Sequence, residues 1–149
     1  MIRPAVAGDA EAIVRIYNHY VMNTIVTFEE QEVTVAQMAE RMQAVEAARL
    51  PWLVMEQAGQ LVGYAYASRW KARSAYRFTV ESSVYVAHAE VGKGVGRQLY
   101  LALLQRLKQS GVHAVVGCLG LPNAASVALH EKCGFQKVAH FREVGFKFG

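Results

Sequence analysis

The pattern of apolar and polar residues is clearest in the middle of the chain. In residues 79–86, TVESSVYV, the side chains alternate in character and are rich in Val, Thr and Tyr, which is typical of a partly buried strand. The glycine-rich turn GKGVGR follows at residues 92–97, and leucines then recur at helical spacing until Gly111. This order predicts a strand, a turn and a helix whose first backbone N–H groups lack helical partners and so favour an anion.

Patterns elsewhere predict the remaining elements. Before residue 79 they are a strand at residues 2–6, a helix capped by Asp9, a loop at residues 24–30, a helix that begins with a capping box of Thr34 and Gln37, and a hairpin of strands 51–56 and 61–68. After residue 111 they are a strand at residues 112–121, a helix that Asn123 caps and Gly134 ends, and a strand at residues 135–144.

The element order predicts the fold class. The run 112–121 is apolar apart from His113, so we expect that strand to be central and covered on both faces. Hairpin strands followed by strand–helix–strand crossovers predict an α+β (α/β) fold, with a mixed, mostly antiparallel twisted sheet and helices on both faces.

Composition narrows the class of protein without deciding its function. Hydrophobic residues make up 53% of the 149 residues and charged residues 19%, as expected for one globular domain at residues 1–149. No apolar run reaches about 18 residues, which argues against a membrane span. Cys118 and Cys133 have neither metal-ligand spacing nor a secretory leader before them, which favours the reducing cytoplasm and no metal. The net charge of +4 suits a small anionic ligand as well as a weak nucleic-acid contact.

The spacing of the glycines separates the known anion-binding motifs. Neither Gly92 nor Gly94 begins the Gly-x-Gly-x-x-Gly of a dinucleotide site. A Walker loop has Ser or Thr after its lysine, but Lys93 is followed by Gly94. The pattern Val91-x-x-Gly94-x-Gly96 resembles the pyrophosphate-binding motif of the GNAT N-acetyltransferases, which usually have Arg or Gln where this chain has Val91. The alternative is a glycine-rich connection without a ligand.

Further motifs extend the resemblance over nearly the whole chain. YNHYV at 17–21, TFEE at 27–30, LPNAASVALHE at 121–131 and VGFKFG at 144–149 are similar to the phosphinothricin and methionine sulfoximine N-acetyltransferase branch. The resemblance implies acetyl-coenzyme A as cofactor, a small amino acid analogue as acceptor, and a homodimer. It also implies a final strand after residue 149, so we expect that the sequence is shortened or that a partner subunit covers the exposed edge of strand 135–144.

Acetyl transfer to an amine requires a general base, a stabilised oxyanion and a proton for the leaving thiolate. The resemblance gives the role of base to Glu81, whose alternative is a structural ion pair with Arg77 or Arg97. It links His130 to the reaction centre as a proton donor or a positioning group, with an ordinary structural histidine as the alternative.

The resemblance also implies binding residues. The strand end would bind the oxyanion through a backbone N–H, the turn would bind the phosphates, and the last helix would bind the pantetheine arm. The expected cofactor-binding residues are Val84, Tyr85, Val86, Val91, Gly92, Lys93, Gly94, Val95, Gly96, Arg97, Asn123 and Ser126. The expected substrate-binding residues, with cations for a carboxylate and hydroxyls for an oxygen-rich head group, are Phe28, Glu29, Arg69, Arg73, Tyr76, Thr79 and Ser83.

Other functions remain open at this point. A module that binds acyl-coenzyme A without catalysis would use the same glycine turn, but it would have no need of Glu81. The basic and aromatic residues 69–77 would instead suit RNA, with an affinity that falls steeply as salt rises. Another small amine or a peptide N-terminus is the alternative acceptor.

Overall fold

The computed structural model describes residues Met1 to Gly149. The strands are β1 Ile2–Pro4, β2 Trp52–Gln57, β3 Gln60–Arg69, β4 Thr79–Val86 and β5 Ala114–Gly117. The α-helices are α1 Ala10–Asn23, α2 Val35–Ala47, α3 Val95–Gln109 and α4 Ala124–Lys132. The strands form one sheet in chain order; every neighbouring pair is antiparallel except β4 and β5, which are parallel. The predicted mixed sheet is thereby confirmed, including the exact bounds of β4.

Helices cover both faces of the sheet because the central strands are apolar on both. On one face, α1 and α2 pack against β2 and β3 through residues such as Ile13, Met38 and Tyr64. On the other face, α3 packs through leucines such as Leu99, which is completely buried. Gly63 permits this close approach, since a Cβ there would lie 3.0 Å from Leu99 Cδ1. None of these helices is both long enough and apolar enough to cross a bilayer.

The parallel pair β4–β5 opens into a fork. Pairing runs from Thr79 opposite Ala114 to Ser82 opposite Gly117 and then stops. On its other side β4 remains paired with β3 up to Val86. The last four residues of β4 therefore have one free edge, which faces the gap beside β5.

Capping follows the sequence prediction at α2 and α4. Thr34 Oγ1 accepts the Gln37 N–H at 3.2 Å, and Gln37 Oε1 accepts the Thr34 N–H at 2.9 Å. Asn123 Oδ1 accepts the Ser126 N–H at 3.1 Å. Since these side chains satisfy N–H groups that have no helical partner, they fix where each helix begins.

Asp9 does not cap α1 as predicted, although it immediately precedes the helix. Its carboxylate instead binds the Arg3 guanidinium through two bonds of 2.8 Å and accepts the Val6 N–H at 2.8 Å. The Arg3 hydrogen bond lowers the pKa of Asp9. A charged bidentate partner thus replaces the helix N–H groups as the ligand of this carboxylate.

The strand predicted at residues 112–121 is shorter than expected and is not central. Only Ala114–Gly117 pairs, at the edge of the sheet, and its residues are half-buried. The side chain of His130 occupies the space beside Gly117, where a Cβ would lie 2.8 Å from the ring. Pairing with β4 ends at this point, so the rest of the apolar run leaves the sheet.

The prediction of a final strand at residues 135–144 is wrong. Residues 136–149 make no backbone–backbone hydrogen bond, and Glu143 has a φ of 54°, which a continuous strand does not tolerate. Val138, Phe141 and Val144 are 91%, 75% and 74% exposed. The apolar pattern alone predicted a strand here, but pairing requires a neighbour whose backbone groups match in register.

Candidate active site

The glycine turn before α3 presents a group of free backbone donors. The N–H groups of Gly92, Gly94, Val95, Gly96 and Arg97 donate no hydrogen bond within the chain. The first turn of α3 contains no acidic residue and no side-chain cap, so the positive end of its dipole is uncompensated. Because Gly92 and Gly94 have φ values of 83° and 84°, the turn exposes its N–H groups without side chains over them. This arrangement fits an anion with several oxygens, such as a pyrophosphate.

Cationic side chains and a close helix contact complete this end of the site. Lys93 Nζ lies 3.1 Å from Glu90, and Arg97 forms no ion pair. The Val91 side chain is exposed and has no donor or charge that an anion could use. Gly96 brings α3 close to Val86, because a Cβ there would lie 3.4 Å from the valine Cγ2. The anion site is therefore placed directly beside the end of β4.

Backbone groups of β4 line the fork. Ala87 donates to Val62 of β3 at 2.8 Å, and since donors alternate along an antiparallel strand, Tyr85 also faces β3. Val84 and Val86 face the opposite edge, where pairing with β5 has already ended. The Tyr85 backbone, an expected cofactor contact, thus faces away from the fork, whereas the N–H groups of Val84 and Val86 are free there.

Glu81 lies on the α1–α2 side of β4 and is half-buried. It forms no ion pair: Arg97 has no acidic partner, and Arg77 lies over the ring of Phe78 with its guanidinium 4.4 Å from the centroid. Burial, and then the charge of Glu81, raise the pKa of the neighbouring Cys118 thiol. The structural ion pair considered for Glu81 is therefore absent.

The loop at residues 24–30 reaches the same side of β4. The Tyr17 hydroxyl bonds to Thr27 Oγ1 at 2.8 Å and donates to the Glu29 carboxylate. Arg41 donates two hydrogen bonds to Glu29, at 2.9 and 2.5 Å, and this bond lowers the pKa of Glu29. Burial, with the Glu29 bond, raises the pKa of Tyr17 to about 12. The Tyr17 ring meets Tyr85 edge to face at 5.1 Å, which joins the loop to the Glu81 face.

The other expected substrate-binding residues surround Glu81 to different degrees. Thr79 and Ser83 flank it on the same strand face. Arg69 ends β3 opposite Val80, and its exposed side chain has no acidic partner. Arg73 and Tyr76 belong to the exposed β3–β4 loop, at the Thr79 end of the strand, and Phe28, in the loop at residues 24–30, is 54% exposed.

His130 lies on the opposite side of β4, at the end of a hydrogen-bond chain. Its Nδ1 is 2.7 Å from the Ser126 carbonyl oxygen, so Nδ1 carries the proton and donates it. Nε2 then accepts from the Tyr100 hydroxyl at 2.9 Å, and Tyr100 in turn bonds to Ser82 Oγ at 2.6 Å. Burial lowers the pKa of His130. Because side chains alternate along β4, Ser82 and Glu81 point to opposite faces, so His130 is not beside the Glu81 carboxylate.

Sequence reasoning missed several side chains that lie at the site or behind it, on the opposite face of β4. Their environments depend on packing between distant segments, and the sequence carried no local signal for them beyond their place in a helix or a motif. They are Tyr17, Arg41, Tyr66, Tyr100 and Lys147.

Comparisons with known proteins identify the family to which this chain belongs. The chain matches the acetyltransferase (GNAT) domain family over residues 2–149. It is 42% identical to a phosphinothricin N-acetyltransferase of Streptomyces viridochromogenes, covering 99% of this chain and 80% of that protein. It is 38% identical to the L-methionine sulfoximine/L-methionine sulfone acetyltransferase of Salmonella typhimurium, covering 99% and 86%. The chain therefore belongs to the GNAT family and is an N-acetyltransferase.

Solved structures show the same fold. A phosphinothricin acetyltransferase from Sinorhizobium meliloti in complex with acetyl-coenzyme A is similar with a TM-score of 0.97 and 36% identity, covering 100% of this chain and 81% of that one. A ribosomal-protein-alanine N-acetyltransferase from Brucella melitensis has a TM-score of 0.98 and 35% identity, covering 100% and 92%.

Proposed function

We propose that this protein transfers the acetyl group of acetyl-coenzyme A to the amino group of a small amino acid analogue of the phosphinothricin, methionine sulfoximine or methionine sulfone type. One observation carries the proposal. Glu81 is a half-buried carboxylate without an ion-pair partner, between a fork with free backbone donors and a cationic loop. The names of relatives at 38–42% identity support the acceptor class.

The residues at the fork fit coenzyme A, which would supply the acetyl thioester. The five free N–H groups at residues 92–97 would hold the pyrophosphate, with Lys93 and Arg97 adding charge. The N–H of Val84 or Val86 would donate to the thioester carbonyl and stabilise the oxyanion. The side-chain oxygen of Asn123 accepts the hydrogen bond of the helix cap, so its amide N–H groups would remain to bind the pantetheine arm.

On the other side, Glu81 would accept the proton that the acceptor ammonium must lose before it can attack. Arg73 and Arg69 would bind the acceptor carboxylate because neither guanidinium has an acidic partner. The hydroxyls of Thr79 and Ser83 would bond to the oxygens of a sulfone, sulfoximine or phosphinate group. Methionine, which lacks these oxygens, would leave the hydroxyls unpaired.

His130 acts in this proposal as a positioning group and not as the proton donor. A neutral imidazole with Nδ1–H bonded to Ser126 and Nε2 bonded to Tyr100 has no free proton to give. Its ring instead holds α4, which carries Asn123 and Ser126, against Gly117 at the fork.

Two further parts of the proposal concern assembly and location. Exposed apolar side chains at residues 138–148 would be covered in a homodimer. Two free cysteines and a cofactor of central metabolism suit the cytoplasm. Light scattering that shows a monomer would contradict the dimer.

A peptide N-terminus is the second candidate acceptor, favoured by the similarity to the ribosomal-protein-alanine acetyltransferase. Thiol release from acetyl-coenzyme A distinguishes the two when phosphinothricin, methionine sulfoximine, methionine sulfone, methionine and a ribosomal-type peptide are compared. We expect kcat/KM for the sulfone or sulfoximine to exceed that for methionine by roughly 10²-fold or more. A preference for the peptide would refute the small-acceptor proposal.

A further inference from the structure

Lys147 is a buried cation that joins three separate segments. Only 7% of the residue is exposed, and its Nζ donates to the Val21 carbonyl at 2.7 Å and to the Thr27 carbonyl at 2.9 Å. Val21 lies near the end of α1, and Thr27 lies in the loop at residues 24–30. The ammonium thus ties this loop and α1 to the segment at residues 144–149.

Burying an ammonium costs free energy unless hydrogen-bond acceptors replace the lost water, so Lys147 requires acceptors in the surrounding fold. Here its hydrogen-bond partners are two carbonyl oxygens, neither of which belongs to its own segment. Its charge also acts on the loop itself, since Lys147, after Arg41 and Tyr17, contributes to lowering the pKa of Glu29. The loop is therefore held by the hydrogen bond from Lys147 to the Thr27 carbonyl and by the hydrogen bonds from Arg41 and Tyr17 to Glu29.

The same segment fixes the ring of Phe28. A Cβ on Gly145 would lie 2.2 Å from Phe28 Cε2, and a Cβ on Gly120 would lie 3.2 Å from Phe28 Cε1. Phe28 remains 54% exposed, but its ring thus lies close to glycines from two different segments. Any larger residue at position 145 would have to displace it.

We propose that Lys147 is a positioning residue for the acceptor: through the carbonyls of Val21 and Thr27 it holds the loop that carries Phe28 and Glu29 at the Glu81 face. This inference rests on the proposed function, because the loop matters only if the acceptor binds there. It assigns a role to the VGFKFG motif, which the cofactor site does not use. Loss of the ammonium loosens the loop and weakens acceptor binding, while the cofactor end, built on α3, is unaffected.

The test compares Lys147→Met with Lys147→Arg and with Lys137→Met, a matched change at an exposed lysine of the same region. For Lys147→Met we expect the acceptor KM to rise about 10-fold, with KM for acetyl-coenzyme A within about 2-fold of wild type. Lys147→Arg, which keeps the charge, should recover part of the loss. Lys137→Met should leave both constants unchanged.

Amide hydrogen exchange gives a readout that does not depend on activity. Exchange of residues 24–30 should be faster in Lys147→Met than in Lys137→Met, while residues 95–109 stay equally protected. If wild type acetylates no acceptor of the panel, the proposed function fails, yet faster exchange of the loop still supports the anchoring role.

Gly145→Ala tests the contact between the segment at residues 144–149 and the loop at residues 24–30 through Phe28. It replaces Lys147→Met if that variant does not fold. It should raise the acceptor KM about 5-fold with no change in cofactor KM. Unchanged exchange of residues 24–30 together with an unchanged acceptor KM in the folded variants would overturn the inference.

Discussion

The two ends of the candidate site are built in different ways. The proposed cofactor end consists of backbone N–H groups from residues at the start of α3 and at the free edge of β4. The proposed acceptor end consists of side chains from α1, α2, the loop at residues 24–30, the end of β3, the β3–β4 loop, β4 and the segment at residues 144–149. A backbone site depends on local conformation, whereas a side-chain site depends on how distant segments pack.

This difference has a consequence for specificity. Backbone donors at a helix start recognise a feature common to every coenzyme A thioester, the pyrophosphate. Side chains such as Arg41 and Glu29 can change one at a time without disturbing that feature. We therefore expect substitutions at the two ends to affect different kinetic constants.

The largest effect is expected where the two ends meet. Glu81→Gln should lower kcat by roughly 10²-fold or more near neutral pH, because general-base catalysis contributes about that much, and leave cofactor affinity nearly unchanged. Steady-state rates at saturating substrates measure this, with Glu11→Gln, an exposed glutamate of α1, as the control. A Glu81→Gln enzyme within about threefold of wild type would remove the base assignment.

The next effect belongs to the cofactor end alone. Gly94→Ala should raise KM for acetyl-coenzyme A about 10-fold, since a residue with a Cβ loses about 1–2 kcal/mol at the φ of 84° found here. The nearest atom to the new Cβ would be Gln98 Nε2 at 3.9 Å, so no clash confuses the result. Gly8→Ala is the matched control, with open space and no positive φ. An unchanged KM would mean that the cofactor does not use this turn.

At the acceptor end we expect a smaller effect, and it concerns the KM for the acceptor. Arg41→Met removes both hydrogen bonds to Glu29 and should raise the acceptor KM about 5-fold, with no change in KM for acetyl-coenzyme A. Arg15→Met, which breaks only an exposed pair on α1, serves as its control. A rise in the cofactor KM instead would show that the loop supports the fork.

The Arg41–Glu29 pair also predicts a pH dependence of stability. The lowered pKa of Glu29 means that its contribution is fully present above its ordinary value of 4.5 and is lost as pH falls through the lower folded-state value. The difference in Tm between wild type and Arg41→Met should therefore be largest near neutral pH and shrink below about pH 4. Thermal unfolding from pH 7 to pH 3 measures it; a difference that grows towards acid would contradict the assignment.

The smallest effect on turnover is expected at Tyr100, on the face of β4 opposite Glu81. Tyr100→Phe leaves His130 Nε2 without a partner and Ser82 with only its 3.4 Å bond to the Val116 carbonyl, which should lower stability by about 1–3 kcal/mol. Because His130 is not the proton donor in this account, kcat should stay within about threefold of wild type. A much larger loss of kcat without a loss of Tm would restore His130 to the chemistry.

Local signals in the sequence predicted much of the fold. The alternation in β4, the capping box at Thr34 and the cap at Asn123 each depend on residues close together in the chain, and the structure confirms them. The strand predicted at residues 112–121 is present but shorter and at the edge of the sheet, and the strand predicted at residues 135–144 is absent. Both had an apolar pattern, but pairing depends on a neighbour that the pattern does not specify.

The candidate site divides in the same way. Free N–H groups at the glycine turn follow from the local sequence, because glycines with positive φ open a helix start. The ligands of Glu29 and the buried position of Lys147 do not, since each depends on contacts between residues 12 or more than 100 positions apart. The side of the sheet on which His130 lies was likewise fixed only by packing against Tyr100.

The central claim is that a backbone-built cofactor end and a side-chain-built acceptor end act independently and meet at Glu81. Two-substrate kinetics of Gly94→Ala, Arg41→Met and the double variant test this most directly. We expect the double variant to show both single effects, each on its own KM, with the fold-changes multiplying to within about a factor of two. If either single variant changes both KM values, or if the double variant departs from the product by 10-fold or more, the two ends are coupled and the claim is contradicted.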